Sequence, residues 1–594
     1  MLAATEQTLT ETVNGWLASF ETALSQGDGR SLEALFGADA HWRDILAFTW
    51  HIQTVSGGEN IVDALKSYGA GTRASGFEAD TGRTPPRLIT RVGTEALEAI
   101  FRFETACGPA NGVVRLILSG GDDPAPKAWT LMTSLDQITG FEETIGNARP
   151  TGISYARDFQ GPNWLDRRQS ATAFADRDPA VLVVGGGQAG LSIAARLAQL
   201  NVDTLVVDRE QRVGDNWRNR YHALTLHNQV HVNHLPYMPF PPNWPTYIPK
   251  DKLAGWFESY AETMEINVWT GTEFAGGTYD ARDEIWSVTL RLADGGTREM
   301  HPRHVIMATG VSDIPNVPDI PGLADFGGRL VHSSEFGQGA DWADRNALII
   351  GTGTSGHDIA QDLYSHGAAV TMVQRNPTLI VGIEPSAQLP YTLYGEGPPL
   401  EDCDLLTTSF PFRMLKKFHQ RITEQTKIHD KDLLDGLSRV GFKLDFGEDD
   451  TGWQFKYLQR GGGYYFNVGC SDLIIGRKIG LVQFDQIDGF CADGARLRSG
   501  EMLPADVIVQ ATGYKGQDYL VRQLFGDDMA DRIGPIWGFD PEKQELRNMW
   551  TRTAQPGLWF IAGSFAQCRI YSKYLGLQIK ACEENMIPLV RAEG

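Results

Sequence analysis

Cysteine is scarce in this 594-residue chain: Cys107, Cys403, Cys470, Cys491, Cys568 and Cys582 are scattered, and no CxxC pair occurs. That scatter excludes a zinc ribbon and a dithiol redox motif, and it fits reduced thiols in a cytosol. Long apolar runs are also missing, since no stretch approaches the roughly 18–20 residues a membrane span needs. The opening Met-Leu-Ala-Ala-Thr-Glu lacks the basic segment and apolar core of a secretory signal. Positive charge is short: 53 Lys and Arg face 74 Asp and Glu, leaving −21. Such a balance argues against nucleic acid or an anionic membrane as a partner. The expectation is a cytoplasmic, metal-free protein of several domains, because single cores rarely grow past about 250–300 residues.

What the chain does have is one motif written twice. Val181–Val184 is an aliphatic run ending in Gly185-Gly-Gly187-Gln-Ala-Gly190, followed by a helical face (Ile193, Leu197, Leu200) and a second apolar run ending on Asp208. This is strand, tight turn, helix, strand. Gly185 permits the turn, Gly187 lets backbone approach a pyrophosphate, and Gly190 lets helix and strand pack closely. The helix N-terminus offers free N–H groups to phosphate. Asp208, 23 residues after Gly185, is placed to accept from a ribose hydroxyl, with Arg209 next to it. The second copy runs from Ala347 through Gly351-Thr-Gly353-Thr-Ser355-Gly356 to Gln374 and Arg375, with the same 23-residue spacing. Here the acid is replaced by a neutral side chain followed by a guanidinium, which predicts a 2′-phosphorylated nucleotide, NADPH rather than NADH. Two such units set the fold class: α/β, with two Rossmann-type dinucleotide-binding domains.

Residues 1–150 read differently. A helical pattern over Leu9–Leu24 places Val13, Trp16, Leu17 and Phe20 on one face, and a second helix covers Asn60–Tyr68. Alternating strands follow at Leu97–Thr105, Val113–Leu118 and Trp129–Ile138, with a turn at Gly120–Pro124. Helices before an antiparallel meander suggest an α+β cone. Through Phe36-x-x-Asp39-Ala-x-Trp42-x-Asp44 and the meander, this block resembles the NTF2-like (SnoaL-like) domain. Asp44, His41 and Asp136 can be read as acid–base groups in a cup; the preferred reading makes His41 and Trp42 packing residues and the block a docking or dimerisation module. Residues 151–178, which include Arg157-Asp, form a polar connector pinned by Trp164.

After Asp208 come Gly214-x-x-Trp217-Arg218, Tyr221 through His227-Asn228, and a proline-rich run from Leu235. Then follow Ala308-Thr309-Gly310 and Phe326-x-Gly328-x-x-x-His332-x-x-x-Phe336, and later Ala511-Thr512-Gly513 and a strand ending on Gly563. Over roughly residues 180–590 the chain resembles the flavin-containing monooxygenases, including the plant YUCCA type. The resemblance implies FAD at the first motif, with Trp217 as an aromatic wall, and NADPH at the second. It implies that reduced flavin and O2 give a C4a-hydroperoxide that oxygenates a small soft nucleophile, an amine, sulfide or indole. It makes His332 a structural link, His227 a flavin contact and Asn228 a hydrogen-bond donor near the reacting oxygen. Phe336 is followed by Gly337, a departure from the Baeyer–Villiger fingerprint that favours nitrogen or sulfur over ketones. Baeyer–Villiger oxygenation, NADPH oxidation releasing H2O2, and a scaffold acting through the N-terminal cup stay open as alternatives. The expected division is 1–150, connector 151–178, FAD-binding 179–335, NADPH-binding 336–504 with an insertion over the substrate pocket, and FAD-binding 505–594. A homodimer through the N-terminal block is expected. Residues Pro385–Pro411 are expected to be irregular and Met414–Arg439 helical.

Overall fold

Leu9, Val13, Trp16, Leu17 and Phe20 recur at helical spacing, and all are buried on one side of the helix Glu6–Gln26. Thr5 caps its start and Gly27, in the left-handed region, ends it. A computed structural model describes residues 5–118, 125–151, 159–540 and 542–590 of the chain; the expected turn at Gly120–Pro124 and the connector's Arg157-Asp lie outside them. The first helix, with Gly29–Leu35 and Gly58–Thr72, packs on a seven-stranded sheet. Its order is Ile52–Ser56, Phe36–Ile45, Lys127–Leu135, Gly108–Ile117, Thr94–Thr105, Ser75–Ala79, with Arg87–Arg91 also on Thr94–Thr105. The neighbours are antiparallel except that Phe36–Ile45 lies parallel to Lys127–Leu135. The meander is therefore closed by an early strand docking beside the last one.

Trp42 is fully buried in this unit. The three polar residues read as a possible acid–base set are engaged separately. Asp44 accepts from the Phe48 and Thr49 amides and the Thr49 and Thr133 hydroxyls. His41 meets Ser56 Oγ at 2.8 Å, and Asp136 pairs with Lys573 of the last helix. The apolar core of the unit runs on into Leu393, Leu405, Leu406, Tyr574 and Leu577. One face of the N-terminal unit is thus docked on its own chain.

The connector holds a helix, Trp164–Ala173, that the polar sequence did not announce. None of its residues is buried, so there is no apolar period to detect. A capping box between Asn163 and Asp166 starts it, and side-chain bonds hold it: Trp164 Nε1 donates to Glu265 at 2.8 Å, Arg168 to Asn267 at 2.9 Å.

Five parallel strands form the first nucleotide sheet, in the order Val268–Trp269, Thr204–Val207, Val181–Val184, His304–Met307, Leu558–Phe560. The second sheet is also parallel: Arg329–His332, Val507–Gln510, Asn346–Ile350, Ala369–Gln374, Gly480–Gln483. This corrects the expected boundaries at 335/336 and 504/505. Strand Val507–Gln510, expected to return the chain to the first sheet, pairs with both Arg329–His332 and Asn346–Ile350. The first crossing comes earlier, at Ile314–Pro315, and the second later, at Tyr514–Lys515, and these two segments pair antiparallel. The 385–411 stretch is a second correction, because it holds 3-10 turns over Ser386–Gly395 and the helix Leu400–Thr408. Pro399 opens that helix, with Glu401 and Asp402 in its first turn, a favourable start that a proline-rich reading masks. The expected single helix from Met414 is two, Phe412–His429 and Lys431–Arg439.

Candidate functional site

The first glycine turn is built by exclusion. Gly185 has φ 112°, and a Cβ there would sit 2.7 Å from Ala308 O. A Cβ on Gly190 would sit 1.9 Å from Gly185 O, so only glycine lets the helix Gln188–Gln199 approach its strand. Gly187 lines the cleft, where a Cβ would meet Asn216 Nδ2 at 3.1 Å. Asp208 first of all fixes this turn, with Oδ2 accepting from Gly186 N at 2.6 Å and Oδ1 from Glu210 N at 2.8 Å. Burial raises its pKa, opposed by those hydrogen bonds and by Arg209.

Gly185, Gly187, Asp208 and Asn216 line a cleft of about 550 Å³ together with Arg209, Trp217, Thr309, Gly310 and Gly563. Arg209 stands at the rim, its guanidinium on Asp313 at 2.6 Å. Trp217 stacks on Phe565 at 6.3 Å, and its indole N–H is buried without a partner among the described residues. Asn216 Oδ1 is likewise unpartnered. Gly563 lies at the N-terminus of the helix Phe565–Glu583, capped by Ser564 and Gln567. A glycine-faced floor, a helix N-terminus and two orphaned polar atoms make a cradle that fits a flavin dinucleotide.

The second turn repeats the geometry. Gly351 has φ 120° with a Cβ position 2.2 Å from Ala511 O, and Gly356 would meet Gly351 O at 2.4 Å. Gly353 is open, and Ser355 lies in the first turn of Thr354–Ser365. Gln374 is buried, and its amide is engaged: Nε2 donates to Lys443 O, while Oε1 accepts from Lys443 N, both at 2.8 Å. Gln483 adds a third bond at 3.0 Å. Gln374 thus leaves the strand end neutral, and Arg375 beside it is exposed. Thr512 Oγ1 donates to Asn316 O at 2.6 Å, and Gly513 O accepts from His332 Nε2 at 3.1 Å. His332 joins the fingerprint to the second crossing, as a link.

His227 and Asn228 do not line the flavin cleft. Their segment lies against the insertion. The His227 ring meets Phe466 at 4.5 Å, and burial pushes its pKa down to about 4. Asn228 Nδ2 donates to Tyr391 Oη at 3.2 Å, while its Oδ1 is buried without a partner among the described residues. Tyr391 belongs to a second, apolar cavity of about 180 Å³, whose walls include Phe410, Phe412, Leu415, Phe418 and Tyr457. Tyr457 lines both spaces. Sequence reasoning placed a substrate pocket in this insertion but named none of these residues, which share no local period in the sequence.

Residues 182–392 match the pyridine nucleotide-disulphide oxidoreductase family. Indole-3-pyruvate monooxygenase YUCCA1 of Oryza sativa subsp. japonica is 31% identical over 339 residues, covering 57% of this chain and 77% of the relative. The chain belongs to the flavin-containing monooxygenase family. The probable indole-3-pyruvate monooxygenase YUCCA4 of Arabidopsis thaliana is 30% identical over 350 residues, covering 58% of this chain and 79% of that one. Among solved structures, closed cyclohexanone monooxygenase superposes with TM-score 0.52 at 16% identity, over 69% of this chain and 85% of that chain. The Rhodococcus sp. Phi1 enzyme bound to NADP+ gives 0.50 at 16% identity, over 69% and 85%. These likenesses are likenesses of fold. The cofactors of this monooxygenase are those of its family, FAD and NADPH. No helix among the described residues is long and apolar enough to cross a membrane.

Proposed function

We propose that the monooxygenase uses NADPH to place one atom of O2 on a small soft nucleophile (an amine nitrogen, a sulfide or an indole-type ring) held in the apolar cavity beside Tyr457. The reaction balances as NADPH, H+, O2 and substrate giving NADP+, water and oxygenated substrate. Bound FAD supplies hydride acceptance and O2 activation. The observation that carries the reading is the sharing of Tyr457 by the flavin cleft and the apolar cavity.

In this reading Gly185, Gly187, Asp208 and Trp217 hold FAD, and Gly351, Gly353, Ser355 and Arg375 hold NADPH. His227, its pKa lowered by burial to about 4, stays neutral near pH 7, so it orients by packing and does not donate a proton. Asn228 positions Tyr391, whose hydroxyl is kept protonated by burial and can donate to negative charge developing in the cavity. The aromatic walls exclude water. The six cysteines are free thiols, which supports a cytosolic setting. Attack at a carbonyl is a second reading, favoured by relatives named for indole-3-pyruvate, a 2-oxo acid.

The test compares NADPH consumed with H2O2 and product formed in air, using methyl phenyl sulfide, cyclohexanone and indole-3-pyruvate as probes. Sulfoxide is the expected main product; product only from the two carbonyl probes selects the second reading. H2O2 equal to NADPH with every probe overturns both and makes the enzyme an oxidase. Asn228→Leu, losing about 1 kcal/mol of hydrogen bonding, raises the H2O2 share about fivefold. An unchanged share removes Asn228 from the mechanism.

A further inference from the structure

The apolar cavity is not made by the flavoprotein part alone. Its outer wall includes Arg43 and Arg91, which come from strands of the N-terminal sheet. Beyond it lies another cavity of about 280 Å³, lined by Ile52 of the same sheet and by polar residues such as Asp540, Lys543 and Arg547. The two cavities share Glu545, Leu546 and Tyr571. Two of these three are bonded to Arg43: its Nε donates to Glu545 Oε1 at 2.8 Å, and its Nη2 to Glu545 Oε2 at 2.7 Å and to Tyr571 Oη at 3.2 Å. Thr54 Oγ1 donates to the same carboxylate at 2.9 Å. Polar cavity, Arg43–Glu545 pair, apolar cavity, Tyr457 and flavin cleft thus form one series.

We propose that the N-terminal unit is a working wall of the substrate chamber, and that the Arg43–Glu545 pair is the latch a substrate passes between the polar cavity and the apolar one. The inference rests on reading the apolar cavity as the substrate site. The segment carrying Glu545 is suited to the role. Gln544, Asn548 and Trp550 all have positive φ (55°, 53° and 61°), so contacts, not local preference, hold it in place. Gln544 Oε1 is buried without a partner among the described residues. The latch also sets the class of ligand. Arg43 is paired with Glu545, whereas Arg91 shares Glu98 and Glu396 with Arg87, and Glu98 also holds Arg115, so that cluster carries an excess positive charge. With its aromatic and aliphatic lining, the chamber favours an apolar or aromatic molecule over a cation, which would meet an already positive cluster at Arg91.

The test uses the full-length, FAD-loaded protein and methyl phenyl sulfide, with binding followed by stopped-flow perturbation of the oxidised flavin's visible absorbance. The double variant Arg43→Gln with Glu545→Gln removes both charges and leaves neither buried alone. Exchanging a charge-assisted bidentate pair for neutral bonds is expected to raise association and dissociation rates together by about fivefold. Leu546→Trp, which narrows the shared wall, is expected to lower both. Flavin content and circular dichroism check the fold, and if the double variant fails to fold, Leu546→Trp decides alone. Sulfide binding with rates indifferent to the folded variants overturns the latch and leaves the chamber standing. Absence of any sulfide-induced change in the unaltered protein overturns the chamber and the latch with it.

Discussion

Arg375 and Asp208 occupy neighbouring steps of the same repeated pattern, and the contrast between them is open to a kinetic test. Replacing Arg375 by Ala is expected to raise KM for NADPH about tenfold, the loss of roughly 1.4 kcal/mol of charge-assisted contact, with KM for NADH little changed. Equal effects on both nucleotides would place Arg375 away from the 2′-phosphate. The missing acid at Gln374 was legible from spacing alone. The use of its amide was not, because its partner Lys443 lies 69 residues further along. Asp208 teaches the same lesson: its position was legible, but its grip on Gly186 N depends on how the turn closes. Tyr391 and Tyr457 were invisible as individuals, since an aromatic residue in an unfamiliar insertion carries no label until its neighbours are known.

Strand, turn and helix in the two nucleotide motifs were legible because every requirement is local. At Gly190 the requirement is absolute, as a methyl group would overlap Gly185 O. Gly190→Ala is therefore expected to cost about 1–3 kcal/mol of stability and to expel most of the FAD. The flavin-to-protein absorbance ratio of the purified variant checks this; full occupancy would contradict the close packing of helix on strand. Elements held by distant partners were not legible. The helix Trp164–Ala173 has no buried face, and Leu400–Thr408 hides behind Pro398 and Pro399. Val507–Gln510 was assigned to the wrong sheet because its trailing Ala-Thr-Gly repeats the one after His304–Met307. Sequence similarity between two strand ends does not say which sheet each strand joins.

For the whole molecule the buried histidines govern acid stability. His357 and His419 are buried, and burial holds the pKa of each at about 4, below the usual 6.5. A group with a depressed folded value contributes stability above its unfolded pKa and loses it as pH falls towards the folded one. At pH 5 each costs about 2 kcal/mol relative to neutral pH. Asp44 and Asp358, raised to about 6 by burial, act in the opposite sense and offset part of the loss. Tm is expected to fall between pH 7 and pH 5, and His357→Leu to flatten that fall. An unchanged slope would remove His357 from the balance. The N-terminal unit shows how far sequence reaches at this scale. Its helices and meander were readable, whereas its place beside the apolar cavity depends on Arg43 meeting a glutamate 502 residues away.

The two crossings between the nucleotide sheets lie side by side, with Pro315 opposite Tyr514. The backbone between them enters and leaves through this one doorway, so a splice from 315 to 514 would ask the remaining backbone to bridge only one strand spacing. In evolutionary terms the intervening unit has the form of a cassette, one that a gene could acquire or exchange at one locus without re-routing the protein that hosts it.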